Sequence, residues 1–139
     1  MKILEGKIAI ITGASRGIGK GIAEKFISQG ATVVFTYASS DEKARALEAE
    51  LAAMGGVAKG YKSDAADFNA AQALIDQVVA DFGTVDILVN NAGVGYLMAP
   101  FTEMPLERWD LVLGVNLTGA FLCSKHAAQL ERCAACGSI

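Results

Sequence analysis

Positive charge is the first thing this sequence lacks. Twelve lysines and arginines face fifteen acids, for a net charge of −3, so no basic face for nucleic acid is expected. Long apolar runs are also missing. The longest are strand-sized and broken by Gly or Thr, too short to cross a bilayer, and an acid at Glu5 interrupts the N-terminus before a signal core could form. Only three cysteines are present, and without a secretion signal they are expected as reduced thiols in the cytoplasm. Nor is there an internal repeat or a Pro/Gly-rich linker, so a single domain over residues 1–139 is expected. With 53% hydrophobic and 19% charged residues, the chain has the composition of a globular core rather than of a disordered segment.

Four short β-branched runs stand out: Ile8–Ile11, Thr32–Phe35, Val57–Tyr61 and Val85–Val89. Helical patterns lie between them. Ile18, Ile22, Phe26 and Ala23, Ile27 repeat at i, i+4, with Gly30 as the stop. Ser39 and Glu42 have capping-box spacing ahead of Leu47, Leu51 and Met54. Asp67 is placed to cap a third helix carrying Ala71, Leu74, Ile75, Val78, Val79 and Phe82 on its inner face, ended by Gly83. The order β-α-β-α-β-α-β predicts an open doubly wound α/β fold, its parallel strands joined by right-handed crossovers. Beyond Pro100 the pattern predicts a short helix from about Thr102, packing through Trp109, Val112 and Leu113, and a separate longer helix from Asn116 to about Arg132.

The stretch Thr12-Gly-Ala-Ser-Arg-Gly-Ile-Gly19 hands the first strand over to the first helix. A helix N-terminus has unpaired N–H groups and partial positive charge, which suit a phosphate that can come close. Gly13 permits the tight turn, while Gly17 and Gly19 are expected to remove Cβ atoms that would block a pyrophosphate. After the second strand, Phe35-Thr-Tyr-Ala-Ser39 carries no acid for a ribose 2′-hydroxyl. Arg16, Ser39 and Ser40 instead offer groups for a 2′-phosphate, so NADP(H) is the expected cofactor. The alternative for Arg16 is an ordinary solvated arginine.

These residues resemble the short-chain dehydrogenase/reductase family. Thr12–Gly19 is similar to its cofactor loop, Asn90-Asn91-Ala92-Gly93 to its second signature, Asp64 to its adenine-side acid, and Val115–Gly119 to the stretch holding its catalytic asparagine. Up to Gly93 the likeness is greatest to bacterial 3-oxoacyl-acyl-carrier-protein reductases; from Pro100 to Lys125 it is greater to members oxidising sugars or alcohols. The resemblance implies a Rossmann-like sheet with strand order 3-2-1-4. Gly13, Ser15, Arg16, Gly17, Ile18 and Gly19 would then hold the pyrophosphate and 2′-phosphate side, and Ala38 and Ser39 would border the 2′-phosphate. Asp64 and Ala65 would flank the adenine, and Asn90, Ala92, Gly93 and Val115 would lie near the nicotinamide ribose. Alternatively, Asn90 and Asn91 only tie the fourth strand to its neighbours, and Asp64 only caps a turn.

The family's chemistry uses Asn, Ser, Tyr and Lys, the lysine lowering the tyrosine pKa so that it can exchange a proton with the carbonyl oxygen. Of the four, only Asn116 is present. None of Tyr37, Tyr61 and Tyr96 has a lysine four places on, and Ser138 comes too early in what resembles a fifth strand. The parent reaction implied is hydride transfer between NADPH and a carbonyl or alcohol substrate such as a 3-oxoacyl thioester. The expectation for residues 1–139 is a truncated portion of such an enzyme, with little or no activity of its own. A non-catalytic dinucleotide-binding or oligomerising module stays open, as does an engineered fragment. Self-association through the 116–132 helix or the exposed sheet edge is expected. No metal is expected: Cys133-Ala-Ala-Cys136 closes a helix rather than opening one, and chance placement accounts equally well for Cys123 and His126 beside it.

Overall fold

The computed structural model describes residues 1–95 and 98–130. Strands β1 (Ile8–Ile11), β2 (Thr32–Tyr37), β3 (Val57–Lys62) and β4 (Ile87–Val89) form one parallel sheet in the order β3-β2-β1-β4. Helices α1 (Gly17–Ser28), α2 (Asp41–Ala53) and α3 (Ala70–Phe82) make the crossovers, and α4 (Leu106–Leu113) and α5 (Ala120–Ala128) follow β4. Open doubly wound topology of this kind is what the alternating pattern predicts.

The two central strands are largely apolar, Ile8–Ile11 in β1 and Val33–Phe35 in β2, because both of their faces are buried. Ile10 of β1 lies in register with Val34 and Leu88, and these three pack against Leu74, Ile75 and Val78 of α3 and Cys123 and Ala127 of α5. Ile11, Val33 and Phe35 face the other way, onto Ala23 and Ile27 of α1 and Leu47 and Leu51 of α2. Register is therefore strongly specified, since slipping one residue would exchange the two faces. The edge strand β3 is polar by contrast. Glu48 Oε1 accepts the outward N–H of Gly60 at 2.6 Å, which blunts an edge that would otherwise invite another strand.

Several local expectations are displaced. Ser40, not Ser39, caps α2, its hydroxyl accepting the Lys43 N–H at 3.3 Å; with lysine at the third position there is no reciprocal capping box. Asp67 Oδ1 accepts from Asn69 N–H at 2.9 Å, while the helix itself starts at Ala70. Met54 is half exposed. The largest difference comes after Pro100. Phe101–Glu103 is a 3₁₀ turn, and the chain then runs without a break from Leu106 to Ala128, with a π-helical segment, Gly114–Gly119, between α4 and α5. One long helix with a bulge replaces the two separate helices expected, and its described part stops short of Arg132. Trp109 and Leu113 are exposed rather than packed.

On the outer edge Asp81 accepts from Lys59 Nζ at 2.8 Å, from Gln77 at 3.2 Å and from the Tyr61 hydroxyl. The hydrogen bond from Lys59 leads the effects that hold its carboxyl down at about 2. A carboxyl depressed in the folded state contributes stability above its unfolded pKa near 4 and loses it as pH falls through about 2. Asp81→Asn is accordingly expected to lower the thermal midpoint at pH 7, with the gap to the unmodified chain closing between about pH 4 and 2. A pH series of thermal melts checks this; a gap that stays constant down to pH 2 would contradict it.

Candidate functional site

A cleft of about 460 Å³ opens where the C-terminal ends of the strands meet α1 and the π segment. Its floor is held by two threonines. The Thr12 hydroxyl, nearly buried at the end of β1, accepts the N–H groups of Asn91 and Ala92, both at 3.0 Å. The Thr36 hydroxyl on β2 accepts the Gly13 N–H at 3.0 Å, and the Thr36 carbonyl accepts from Ala14 N–H at 3.2 Å. Asn91 completes the tie, its Nδ2 donating to the Thr12 and Gly13 carbonyls at 3.0 Å each. The glycine loop is thus fastened to β2 on one side and to β4 on the other.

The glycines divide the work differently from the sequence expectation. Gly13 has φ +66°, and a Cβ there would lie 2.8 Å from the Ala92 Cα, so the turn and the β4 loop both require glycine. At Gly19 a Cβ would fall 2.5 Å from Asn91 Nδ2 and 2.7 Å from the Ala14 Cα. What it makes room for is the protein's own packing of α1 against the loop. Gly17 has φ +59° and open space around its Cβ position, leaving the approach to the helix end clear. Arg16 supplies no side-chain cap to α1, and the first turn carries no acid. The N–H groups there therefore face the cleft without a side-chain acceptor, as an anion would need.

The other wall comes from β2, β3 and the π segment. Tyr37 ends β2 and Ala38 follows it, and Ser63, Asp64 and Ala65 follow β3. Asp64 Oδ1 accepts from Ala66 N–H at 2.9 Å, so it caps its own turn while lining the cleft. Asp41, the first acid after β2, accepts from the Tyr37 hydroxyl at 2.9 Å and lies 3.9 Å from Lys62 Nζ. That hydrogen bond, ahead of burial, holds the Tyr37 phenol above its usual range. Beneath the cleft, a cavity of about 30 Å³ is lined by Asn90, Val115 and Cys123 among others, and burial raises the Cys123 thiol. Among the described residues, no three of His, Cys, Asp and Glu are grouped to hold a metal ion; Cys133 and Cys136 lie outside them.

The sequence profile of the short chain dehydrogenase family matches residues 7–139. The chain belongs to that family. It is 44% identical to D-threitol dehydrogenase of Mycolicibacterium smegmatis over 86% of its own length and 45% of the relative's. With the 3-oxoacyl-[acyl-carrier-protein] reductase of Synechocystis sp. it shares 40% identity, covering 94% and 52%. Among solved structures, a metagenomic short-chain oxidoreductase in complex with NADP superposes with a TM-score of 0.91 at 42% identity, over 96% of this chain and 60% of that one. The Serratia marcescens BCRC 10948 enzyme gives 0.87 at 42%, over 91% and 51%. The chain spans about half the length of the curated relatives it matches.

In this short-chain dehydrogenase chain, Gly13, Ser15, Arg16, Gly17, Ile18, Gly19, Ala38, Asp64, Ala65, Ala92, Gly93 and Val115 all line the one cleft. Ile18 is 79% exposed there, not on the core face that the i, i+4 pattern gave it. Three assigned residues stand apart. Ser39 is exposed beyond the cleft lining. Asn90 donates from Nδ2 to Ser124 Oγ at 3.0 Å and borders the lower cavity. Asn116 is clamped to Val94, accepting its N–H at 2.8 Å and donating to its carbonyl at 2.9 Å. With its amide engaged at both ends, Asn116 ties the π segment to the β4 loop. Thr36, Tyr37, Ser63, Asn91 and Val94 line the cleft without having been assigned. A threonine inside the apolar run Val33–Tyr37 was the available signal for Thr36.

Since the Thr12 hydroxyl serves two backbone donors, Thr12→Val is expected to destabilise the fold by about 2 kcal/mol, while Thr12→Ser keeps most of the stability. Urea unfolding of the three chains tests this, and equal midpoints for Val and Ser would remove the hydroxyl from its role.

Proposed function

We propose that this chain forms the NADP(H)-binding part of a short-chain dehydrogenase/reductase. The parent reaction is hydride transfer between the nicotinamide and a carbonyl or alcohol carbon, as on a 3-oxoacyl thioester. The observation that carries the reading is the cleft's charge arrangement: an uncapped α1 N-terminus beside Arg16, with the first acid after β2 turned to Tyr37 and Lys62. These residues fit a dinucleotide. The α1 turn would take the pyrophosphate, and Arg16 would favour a 2′-phosphate where an acid would favour a free hydroxyl. Val94, held by Asn116, with Ala92 and Val115, would support the nicotinamide ribose. The NADP complex named for a solved relative supports the choice. When bound, the cofactor supplies the hydride; the protein's part is position and a proton donor for the oxygen.

That proton donor is the weak point among the described residues. Tyr37 and Tyr61 both donate to carboxylates and both have raised pKa values, opposite to what proton exchange at neutral pH asks. The chain alone is therefore proposed to bind cofactor and to turn over little or nothing. A cytoplasmic location and association with a second copy belong to the same reading, the latter supported by exposed Leu117 and Phe121 on the long helix.

Fluorescence titration of the purified chain is expected to give saturable NADPH binding, with NADH at least tenfold weaker. Binding of neither, or a preference for NADH, would reject the assignment. Steady-state assays with NADPH and a panel of carbonyl substrates are expected to show no turnover; family-like rates would reject the inactivity.

A further inference from the structure

Gly114 and Gly119 bound the π segment, and both have ordinary right-handed helical backbones. Gly114 has φ −59° and ψ −48°, Gly119 φ −60° and ψ −45°. Neither conformation needs a glycine, and inside a helix glycine is less favourable than alanine. Both residues are buried, so what distinguishes them is the space that a Cβ would enter. At Gly114 the nearest neighbour is a ring carbon of Phe68 at 3.9 Å, an ordinary contact. At Gly119 a Cβ would lie 2.9 Å from the Ala65 carbonyl oxygen, 3.3 Å from the Gly114 carbonyl oxygen and 3.7 Å from the Ala65 Cβ. The first approach is too close for a real Cβ, and the atom it meets is backbone, with no rotamer by which to withdraw.

Ala65 belongs to a turn closed by its own hydrogen bonds. The Ser63 N–H donates to the Tyr37 carbonyl at 3.0 Å, fastening the start of the turn to the end of β2. Asp64 then accepts the Ala66 N–H on Oδ1 at 2.9 Å and the Asp67 N–H on its carbonyl at 3.0 Å. One side of this turn lines the cleft through Ser63, Asp64 and Ala65. On its other side Asp64, Ala65, Asp67, Gly119 and Ala120 border the cavity of about 30 Å³. The turn therefore overlies a hollow, and its approach to the helix at Gly119 limits how deeply it can sit. A methyl group at 119 would push the Ala65 carbonyl away from the helix, and the hydrogen-bonded turn with it.

We infer that Gly119, which does not itself line the cleft, is a positioning residue for the wall that receives the adenine. By admitting the Ala65 carbonyl it sets where Asp64 and Ala65 stand. The inference rests on the cofactor reading above and concerns the adenine half of the ligand alone. The glycine loop takes its support elsewhere, from Thr36 on β2 and from Thr12 toward the β4 loop.

The test compares Gly119→Ala with Gly114→Ala, two alanines placed in the same π segment, circular dichroism confirming that each is folded. The probe is adenosine 2′,5′-bisphosphate, the adenine half of NADP. Gly119→Ala is expected to bind it about tenfold more weakly than the unmodified chain, and Gly114→Ala within about twofold of it. In amide NMR spectra without ligand, Gly119→Ala is expected to move the resonances of residues 64–66 and leave those of Gly17 and Ile18 in place. A general loss of stability would not give that pattern. Unchanged affinity in a folded Gly119→Ala, equal losses in the two variants, or shifts spread over the glycine loop would overturn the inference. Should Gly119→Ala fail to fold, the unmodified chain decides. The probe is expected to shift its Gly119 and Ala120 amides, and their staying in place overturns the role of Gly119 while leaving the cofactor reading standing. An unmodified chain that does not bind the probe overturns both.

Discussion

The Thr12 hydroxyl is the pin on which the site turns. β1 and β4 are paired only over Ala9–Ile11 and Ile87–Val89, and beyond those residues the two chains part, one into the glycine loop and the other into Asn90-Asn91-Ala92-Gly93. A single side-chain oxygen there accepts two successive N–H groups from the β4 side. It extends the ladder by one step past the last backbone pair and sets the distance between the two loops. Gly13 can approach the Ala92 Cα only because that distance is fixed and no Cβ intervenes. Asn91, returning hydrogen bonds to the Thr12 and Gly13 carbonyls, closes the arrangement.

The same economy places the far wall. A regular α-helix from Leu106 to Ala128 would carry the side chains after Gly114 round by a fixed angle per residue. The π segment widens one turn at the point where Asn116 must meet Val94 and where Gly119 must approach the Ala65 carbonyl, which a Cβ would reach at 2.9 Å. Such bulges recur at functional sites because they re-aim side chains without ending the helix. Here one bulge serves the loops after β3 and β4 together, and Val115 inside it borders both the cleft and the cavity below.

What was legible in the sequence was whatever depends on period or backbone freedom. The apolar strands, the inner faces of α1 and α3, the left-handed turn at Gly13 and the order of strands followed from patterns that burial on two faces imposes. What was not legible depends on contacts between distant segments. Gly19 reads as clearance for a ligand until Asn91, seventy-two positions on, is seen filling the space. Ile18 fits the helical stripe by spacing, yet it sits at the helix end, where the stripe has already passed over the cleft rather than the core. A π turn has no residue signature, so the stretch before Asn116 reads as the gap between two helices when it is a bulge in one, with Gly119 at a point of close approach.

Among the described residues, the bonds that tie the cleft together and the bonds made by the tyrosines are separate. The loops lining the cleft are tied to one another by hydrogen bonds from Thr12, Thr36, Asn91 and Asn116. None of these bonds prepares a proton donor. A tyrosine becomes useful at neutral pH when a cation stabilises its phenolate. The Tyr37 hydroxyl instead spends its proton on Asp41, and burial and Asp81 raise the Tyr61 phenol despite Lys59 beside it. At the strand ends the α1 N-terminus has no side-chain cap, and Asp41 nearby is engaged by Tyr37 and Lys62. On the cofactor reading proposed above, that arrangement favours an anionic phosphate at α1, while neither Tyr37 nor Tyr61 is eased toward its phenolate.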